Sequence, residues 1–523
     1  MATEAAEPLV SHRAQQCNPC HHFDDWVKHH PAIATITGLG SGALGAASFF
    51  SIGPNPVTNA FLYTSGSLLS AVSAATMFKV GQRWRHFISG QMLVPLASMA
   101  GYRHNSGLNI KTFEEKQFYK DGTTELLGEL AYERIKGKEV PVLTLHSEDP
   151  FEMGLAHGYL IGKEILDLFP RLLEPLLSTI GVLMGDPSRS ELVSTGETIH
   201  IPREYERELE GVLAGVIQYA HEHGLPKPRL TMEQLRRLHY FADVYKAIGC
   251  QNILGIESLN ALGCSTVVIK KDDEVWLGSN MDWFSIGIMG ESVFIRRYFV
   301  GDPKEWVESI SLPGFIGAFR AHNEAGVKIA INECGTCRNA EGIPHVLTAR
   351  KILDEAKTVA DAERYFQDIH AEVGSRRKPS STHLLIVADK TTAKLFQVTL
   401  EDDQFFNVRD LRPVSDGHSI LIVTNHFVDD EHETVPDSHA DGSTEERYGA
   451  IQALFTRERL EEEHPEALIK EALGEVNRVV TVISIVYSPE GVIDCAFDNY
   501  HAAAHHQGSA EHQDPPEHVV LDV

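Results

Sequence analysis

From Pro31 to Phe78 the chain carries no charged residue. A run of 48 residues without a charge cannot lie along an ordinary wetted surface; a fold must bury it or pass it to lipid. The turn Gly53-Pro54-Asn55-Pro56 divides it into two apolar runs, each of roughly 20 residues, about the length that crosses a bilayer. Small residues recur at four-residue spacing, Ser41 with Gly45 and Gly66 with Ser70 and Ala74, which lets two helices approach closely. The sequence therefore predicts a helical hairpin that spans a membrane. The alternative is a small-residue helical pair buried against the main domain, since Ala, Gly and Ser give only modest hydropathy. Lys79, Arg83 and Arg85 follow at once, so the positive-inside rule puts both termini and the downstream domain on the cytoplasmic side. With the pair buried instead, a cytoplasmic protein is expected.

The net charge of −27 argues against nucleic acid as a partner, because phosphate binding needs a concentrated basic surface. Seven cysteines in 523 residues make no disulfide scaffold, and the opening Met-Ala-Thr-Glu is unlike a secretory signal. A reducing compartment follows, with cysteines available for chemistry. The pattern divides into a disordered polar arm over 1–30, the hairpin over 31–78, a linker over 79–112, a mixed segment over 113–263, a strand-rich segment over 264–500 and a disordered His-rich tail over 501–523.

After Cys264 closely spaced β-runs appear, at Ser265 to Ile269, Val275 to Leu277, Val293 to Tyr298, Gly326 to Asn332 and His383 to Ala388. Helices are expected at Pro344 to Ala356, Val359 to His370, Glu445 to Glu463 and Pro465 to Glu475, with a hairpin closing at Ser488-Pro489-Glu490-Gly491. Runs of strands separated by paired helices suggest an α+β layered sandwich.

The chemistry-bearing signal is Leu262-Gly263-Cys264-Ser265-Thr266, opening one of those strands. A Cys thiol attacking the carbonyl just before it needs an unobstructed backbone there, and Gly supplies one. Hydrolysis of the resulting thioester would free Cys264 as a chain terminus. Its α-amino group could then act as base to its own thiol. A buried structural cysteine is the ordinary alternative. The next strand carries Asn280-Met281-Asp282, and a hairpin of that length returns Asp282 near Cys264, where a carboxylate can orient an ammonium.

Together these residues resemble the acyl-coenzyme A:6-aminopenicillanic acid acyltransferase family and, more distantly, choloylglycine hydrolase and acid ceramidase. All are cysteine N-terminal-nucleophile (Ntn) hydrolases. The likeness also runs through Asp149 to Gly158, His322-Asn323-Glu324-Ala325-Gly326-Val327, Val423-Thr424-Asn425-His426-Phe427 and Ser443 through Arg447-Tyr448. It implies a four-layer αββα sandwich, with 113–263 as pro-segment and α-chain, 264–500 as catalytic β-chain, and the two chains staying associated. It implies that Asn425 presents an amide N–H to the oxyanion, with Asn323 adding donors on the opposite rim. It implies that Arg447 pairs with Asp282 or fixes the nucleophile. The choloylglycine type has Arg before Asn-x-Asp where this chain has Ser279, so bile-salt specificity does not carry over.

Cys17-Asn18-Pro19-Cys20-His21 fits a c-type haem attachment pattern or half a zinc site, and Cys334-Gly335-Thr336-Cys337 a redox pair or metal site. No cytochrome-like context surrounds the first pair, and the second reads as a strand-to-loop segment near the site. No metal or cofactor is expected. The expected activity is cleavage of a linear, non-peptide amide through a Cys264 thioester, with N-acyl lipid-like amides as the substrate class. Its rivals are acyl-coenzyme A-dependent N-acyltransfer, with an acyl thioester as substrate, and a membrane-anchored inactive scaffold of the same fold.

Overall fold

The computed structural model describes residues 115–120, 123–135, 138–169, 199–249, 263–282, 293–299, 305–334, 342–372, 377–399, 406–429, 442–477 and 481–497. The expected hairpin over 31–78, the arm with Cys17 and Cys20, and the His-rich tail lie outside these residues. Among the described residues, no helix is long and apolar enough to cross a membrane.

The fold is α+β. In chain order it begins with strands β1 (Lys116–Tyr119), β2 (Leu126–Ile135) and β3 (Lys138–His146). Helices α1 (Pro150–Leu160), α2 (Arg203–Glu222) and α3 (Met232–Gly249) follow. A run of strands comes next: β4 (Gly263–Lys271), β5 (Glu274–Asp282), β6 (Val293–Phe299), β7 (Glu305–Ser311), β8 (Arg320–Asn323) and β9 (Lys328–Glu333). Helices α4 (His345–Glu355) and α5 (Val359–Ala371) precede β10 (His383–Ala388), β11 (Ala393–Val398), β12 (Phe406–Asp410), β13 (Arg412–Ser415) and β14 (His418–Val423). Helices α6 (Gly442–Leu454), α7 (Arg457–Glu462) and α8 (Pro465–Glu475) lead to the final hairpin, β15 (Thr481–Ser488) and β16 (Gly491–Phe497).

The strands form a ten-stranded sheet, β1-β2-β3-β6-β7-β8-β9-β10-β11-β12, and a six-stranded sheet, β13-β14-β4-β5-β15-β16. The sheets meet through β4 and β5 against β9 and through β11 against β14. Helices α1, α4 and α5 pack on the larger sheet, and α6 and α8 on the smaller. Strand β4 is therefore covered on both faces, which explains its apolar run Val267-Val268-Ile269. Side chains alternate across a strand. Gly278 of β5 faces α8, where an added Cβ would come within 2.1 Å of Ile469. Thr266 of β4 faces the other way and donates across the interface to Asn332 Oδ1 at 2.8 Å.

The segment before Cys264 is woven into the same architecture. Strand β3 pairs in parallel with β6, Val142 opposite Phe294 and His146 opposite Tyr298. Asp149 caps α1 by accepting from the Phe151 N–H at 3.0 Å and is held at 2.9 Å by Arg207 of α2. The two helices touch backbone to backbone. A Cβ at Gly154 would lie 1.9 Å from the Glu208 carbonyl oxygen, one at Gly158 2.0 Å from that of Val212, and Gly211 and Gly215 answer from the other side. His157, fully buried, accepts from the Gly314 N–H at 3.2 Å. In this structure the Asp149 to Gly158 motif is thus a packing element.

Candidate active site

Gly263 and Cys264 open β4, and the antiparallel register sets Asp282 of β5 directly across from Gly263 and Met281 across from Cys264. Opposed residues share a face. Asp282 therefore lies on the α8-covered face with Gly263, while Cys264 lies on the face turned to the larger sheet. Asp282 is 2% exposed and accepts from the Thr481 hydroxyl at 2.7 Å. The first residue of the Asn280-Met281-Asp282 triplet has a mechanical part. Asn280 donates to the Leu473 carbonyl at 2.9 Å and accepts from Ser484 Oγ at 2.6 Å, clamping α8 and β15 onto β5.

Asn425, just beyond the end of β14, meets the first residues of β4. The Cys264 N–H donates to Asn425 Oδ1 at 2.8 Å, and Asn425 Nδ2 donates to the Glu333 carbonyl at 2.6 Å. The amide cannot be reversed, because Oδ1 also accepts from Arg447 Nη2 at 2.8 Å and a guanidinium has only donors. Helix α6 delivers two groups three residues apart onto one face. Thr444 Oγ1 accepts from the Asn425 N–H at 2.7 Å, and Arg447 Nη1 donates to the Cys264 carbonyl at 2.6 Å and to Ser265 Oγ at 2.8 Å. Arg447 thus grips the backbone of the strand that Cys264 opens. The crowding explains Gly263, where a Cβ would sit 2.7 Å from Arg447 Nη2 and 3.0 Å from Asn425 Oδ1.

Asn323 does not join this group, which corrects the expectation placed on it. It lies at the turn between β8 and β9, its N–H donating to the Val327 carbonyl and its carbonyl accepting from the Gly326 N–H, both at 3.0 Å. Its amide donates to the Leu353 and Ala356 carbonyls at 2.9 and 2.7 Å, while its Oδ1 accepts from the Val327 N–H at 3.0 Å. The end of β9 that touches Asn425 is Glu333, five residues beyond Lys328, roughly 17 Å along a strand rising about 3.3 Å per residue.

The amide near the site from this strand is Asn332. It donates to the Val423 and Thr424 carbonyls, both at 3.0 Å, and accepts from Thr266. It locks β14, β9 and β4 together beneath Asn425. The sequence signal was available: a fully buried amide closing an apolar strand has to be satisfied by something. Cys334 comes directly after Glu333 and is buried, whereas Cys337 lies outside the described residues.

Cys264 carries a thiol in no disulfide and is 5% exposed. Cys264 opens a central strand and is held there through its own N–H and C=O. The acyl-coenzyme A:6-aminopenicillanic acid acyl-transferase family model matches residues 269–489. The family resemblance carried by the motifs therefore holds over that span. It takes in Asp282, Asn425 and Arg447 and begins just after Cys264. An uncharacterized protein of Archaeoglobus fulgidus is 21% identical over 308 residues, 54% of this chain and 50% of its own length. The chain thus spans about half of that relative. A solved N-acylethanolamine-hydrolyzing acid amidase ortholog from Caenorhabditis elegans shares 16% identity at a TM-score of 0.33, over 43% of this chain and 93% of that one.

Proposed function

We propose that this chain is a self-cleaving Ntn amidohydrolase or acyltransferase of αββα architecture, with Cys264 as both cleavage residue and nucleophile. The observation that carries this reading is the double grip on Cys264, its N–H on Asn425 and its carbonyl on Arg447. In the first stage the Cys264 thiol attacks the Gly263 carbonyl carbon, and its proton passes to the peptide nitrogen as the C–N bond breaks and the C–S bond forms. Water then hydrolyses the Gly263 thioester and leaves Cys264 with a free α-amine. Asn425 Oδ1, already holding that nitrogen, keeps the amine beside its own thiol, and Asp282 supplies charge to orient it.

In the second stage the thiolate attacks a substrate amide carbonyl, the acyl group passes to sulfur, and the amine leaves with a proton. Asn425 Nδ2 has two N–H groups. Glu333 takes one, and the other is assigned to the developing oxyanion. Water or an amine then accepts the acyl group. The match to an acyl-transferase family keeps transfer from an acyl thioester open as the second reading. The two pieces stay together, because β1 to β3 before the cut share a sheet with β6 to β12 after it.

The substrate class is an N-acyl amide with a fatty chain. It rests on the uncharged stretch Pro31 to Phe78, which would hold the enzyme at a membrane with its catalytic part on the cytoplasmic side. The test is a panel of N-acyl amides and acyl thioesters given to wild type and Cys264→Ala, with and without added hydroxylamine. Wild type alone should release product, and hydroxylamine should divert the acyl group to hydroxamate. Turnover by Cys264→Ala would overturn the reading.

A further inference from the structure

Behind Asn425 lies a row of titratable groups, two of them fully buried, that the chemistry above does not use. Asp243 of α3, 1% exposed, is tightly hydrogen-bonded through one carboxylate oxygen. That oxygen takes the hydroxyls of Ser380 and Ser381, both at 2.6 Å, and faces His345 Nδ1 at 2.7 Å. An acceptor so placed fixes the proton on Nδ1. The other ring nitrogen, Nε2, lies 2.9 Å from Glu333 Oε1. At that distance the two groups attract only if a second proton is present, carried by the ring or by the carboxyl. His345 is the first residue of α4 and fully buried. Glu333 is the last residue of β9, and its side chain is 23% exposed. Also about the ring are Ser381 Oγ, 3.3 Å from Nδ1, and His383 of β10. The two rings are 5.3 Å apart, and His383 Nδ1 is bound to the Ser381 carbonyl at 2.8 Å.

We propose that Asp243, His345 and Glu333 form a positioning row that holds the end of β9 against Asn425, so that catalytic alignment depends on the proton between His345 and Glu333. The inference rests on the proposed function of Cys264. The link is short: Glu333's own carbonyl accepts from Asn425 Nδ2, and Asn425 Oδ1 holds the Cys264 nitrogen. Fully buried Asp and His side chains are costly to desolvate unless paired. Apolar residues would join α3 to α4 more cheaply, which is why the row is read as serving the site. When the shared proton leaves at higher pH, Glu333 and His345 lose their attraction, β9 loosens at its end and Asn425 drifts from Cys264. None of the three touches substrate, so they are positioning residues.

The test uses the full chain as wild type, Cys264→Ala, Glu333→Ala and Glu333→Gln, with self-cleavage, kcat, KM and melting temperature measured across pH. Glu333→Gln offers a permanent amide N–H to His345 Nε2 in place of a dissociable proton. It should keep kcat within about threefold of wild type near neutrality and lose the alkaline fall that wild type shows. Glu333→Ala should lower kcat by about tenfold or more with KM little changed, the pattern of an interaction made in the transition state. A Glu333→Ala enzyme with the wild-type kcat and pH profile would overturn the proposal. So would a Glu333→Gln enzyme that retains the alkaline fall or is as slow as the Ala variant. If Glu333→Ala does not fold, the pH profile of Glu333→Gln decides alone. If wild type neither cuts itself nor turns over, or Cys264→Ala remains active, the reading of Cys264 has failed and the row falls with it.

Discussion

Arg447 donates to the main-chain carbonyl of Cys264 at 2.6 Å, so the guanidinium grips the backbone of the residue that opens β4. The same fork reaches Ser265 Oγ and Asn425 Oδ1, both at 2.8 Å. Replacing Arg447 with Ala removes the donor from three acceptors at once. Self-cleavage and turnover should both fall by about 10²-fold or more, comparable to losing an oxyanion donor. Arg447→Lys keeps the charge but not the planar fork and should fall between Ala and wild type. A Lys variant that processes at the wild-type rate would show that charge alone suffices.

Asn425 is assigned two opposite tasks, acceptor for the Cys264 nitrogen and donor to the oxyanion, and substitutions separate them. Asn425→Ala loses both and should cost about 10²–10³-fold in kcat. Asn425→Asp keeps an acceptor facing Cys264 and Arg447 but cannot donate to Glu333 or to the oxyanion. It should therefore be nearly as slow as Ala in steady-state turnover. Recovery of turnover in the Asp variant would leave Asn425 as an anchor only.

The contact between α1 and α2 makes a prediction about stability alone. Gly158→Leu would force side-chain atoms through the Val212 main chain, since even a Cβ would lie 2.0 Å from its carbonyl oxygen. The helices must separate, at a cost of about 3 kcal/mol. Thermal melting should show it as a large drop in midpoint, and an unchanged midpoint would mean that the backbones do not meet there.

Much of the half after Cys264 is legible in the sequence because its elements announce themselves locally. Strand β4 carries the apolar run Val267-Val268-Ile269, and α8 begins with Pro465 behind His464, whose ring accepts the Glu466 N–H. The stretch Glu445 to Glu463 reads as one charged helix, yet it breaks at Phe455, where Thr456 caps a new turn by accepting from Arg459. Strands β12 and β13 escaped because they are half-exposed and of mixed polarity. At the site, register alone sets Asp282 beside the Gly263-Cys264 junction. Asn-Glu-Ala-Gly is also the pattern of an ordinary turn, and Asn323 lies in one here, with Gly326 at φ +90°. The row from Asp243 through His345 to Glu333 joins residues far apart in sequence that only tertiary packing brings together.

The central claim is that the chain cuts itself before Cys264, and a denaturing gel of purified protein with N-terminal sequencing tests it most directly. Cleavage predicts two pieces of 263 and 260 residues that co-purify under native conditions. The C-terminal piece should begin Cys-Ser-Thr-Val-Val, and Cys264→Ala should run as one full-length chain. A single uncut chain in enzyme that is active on an amide would contradict the account.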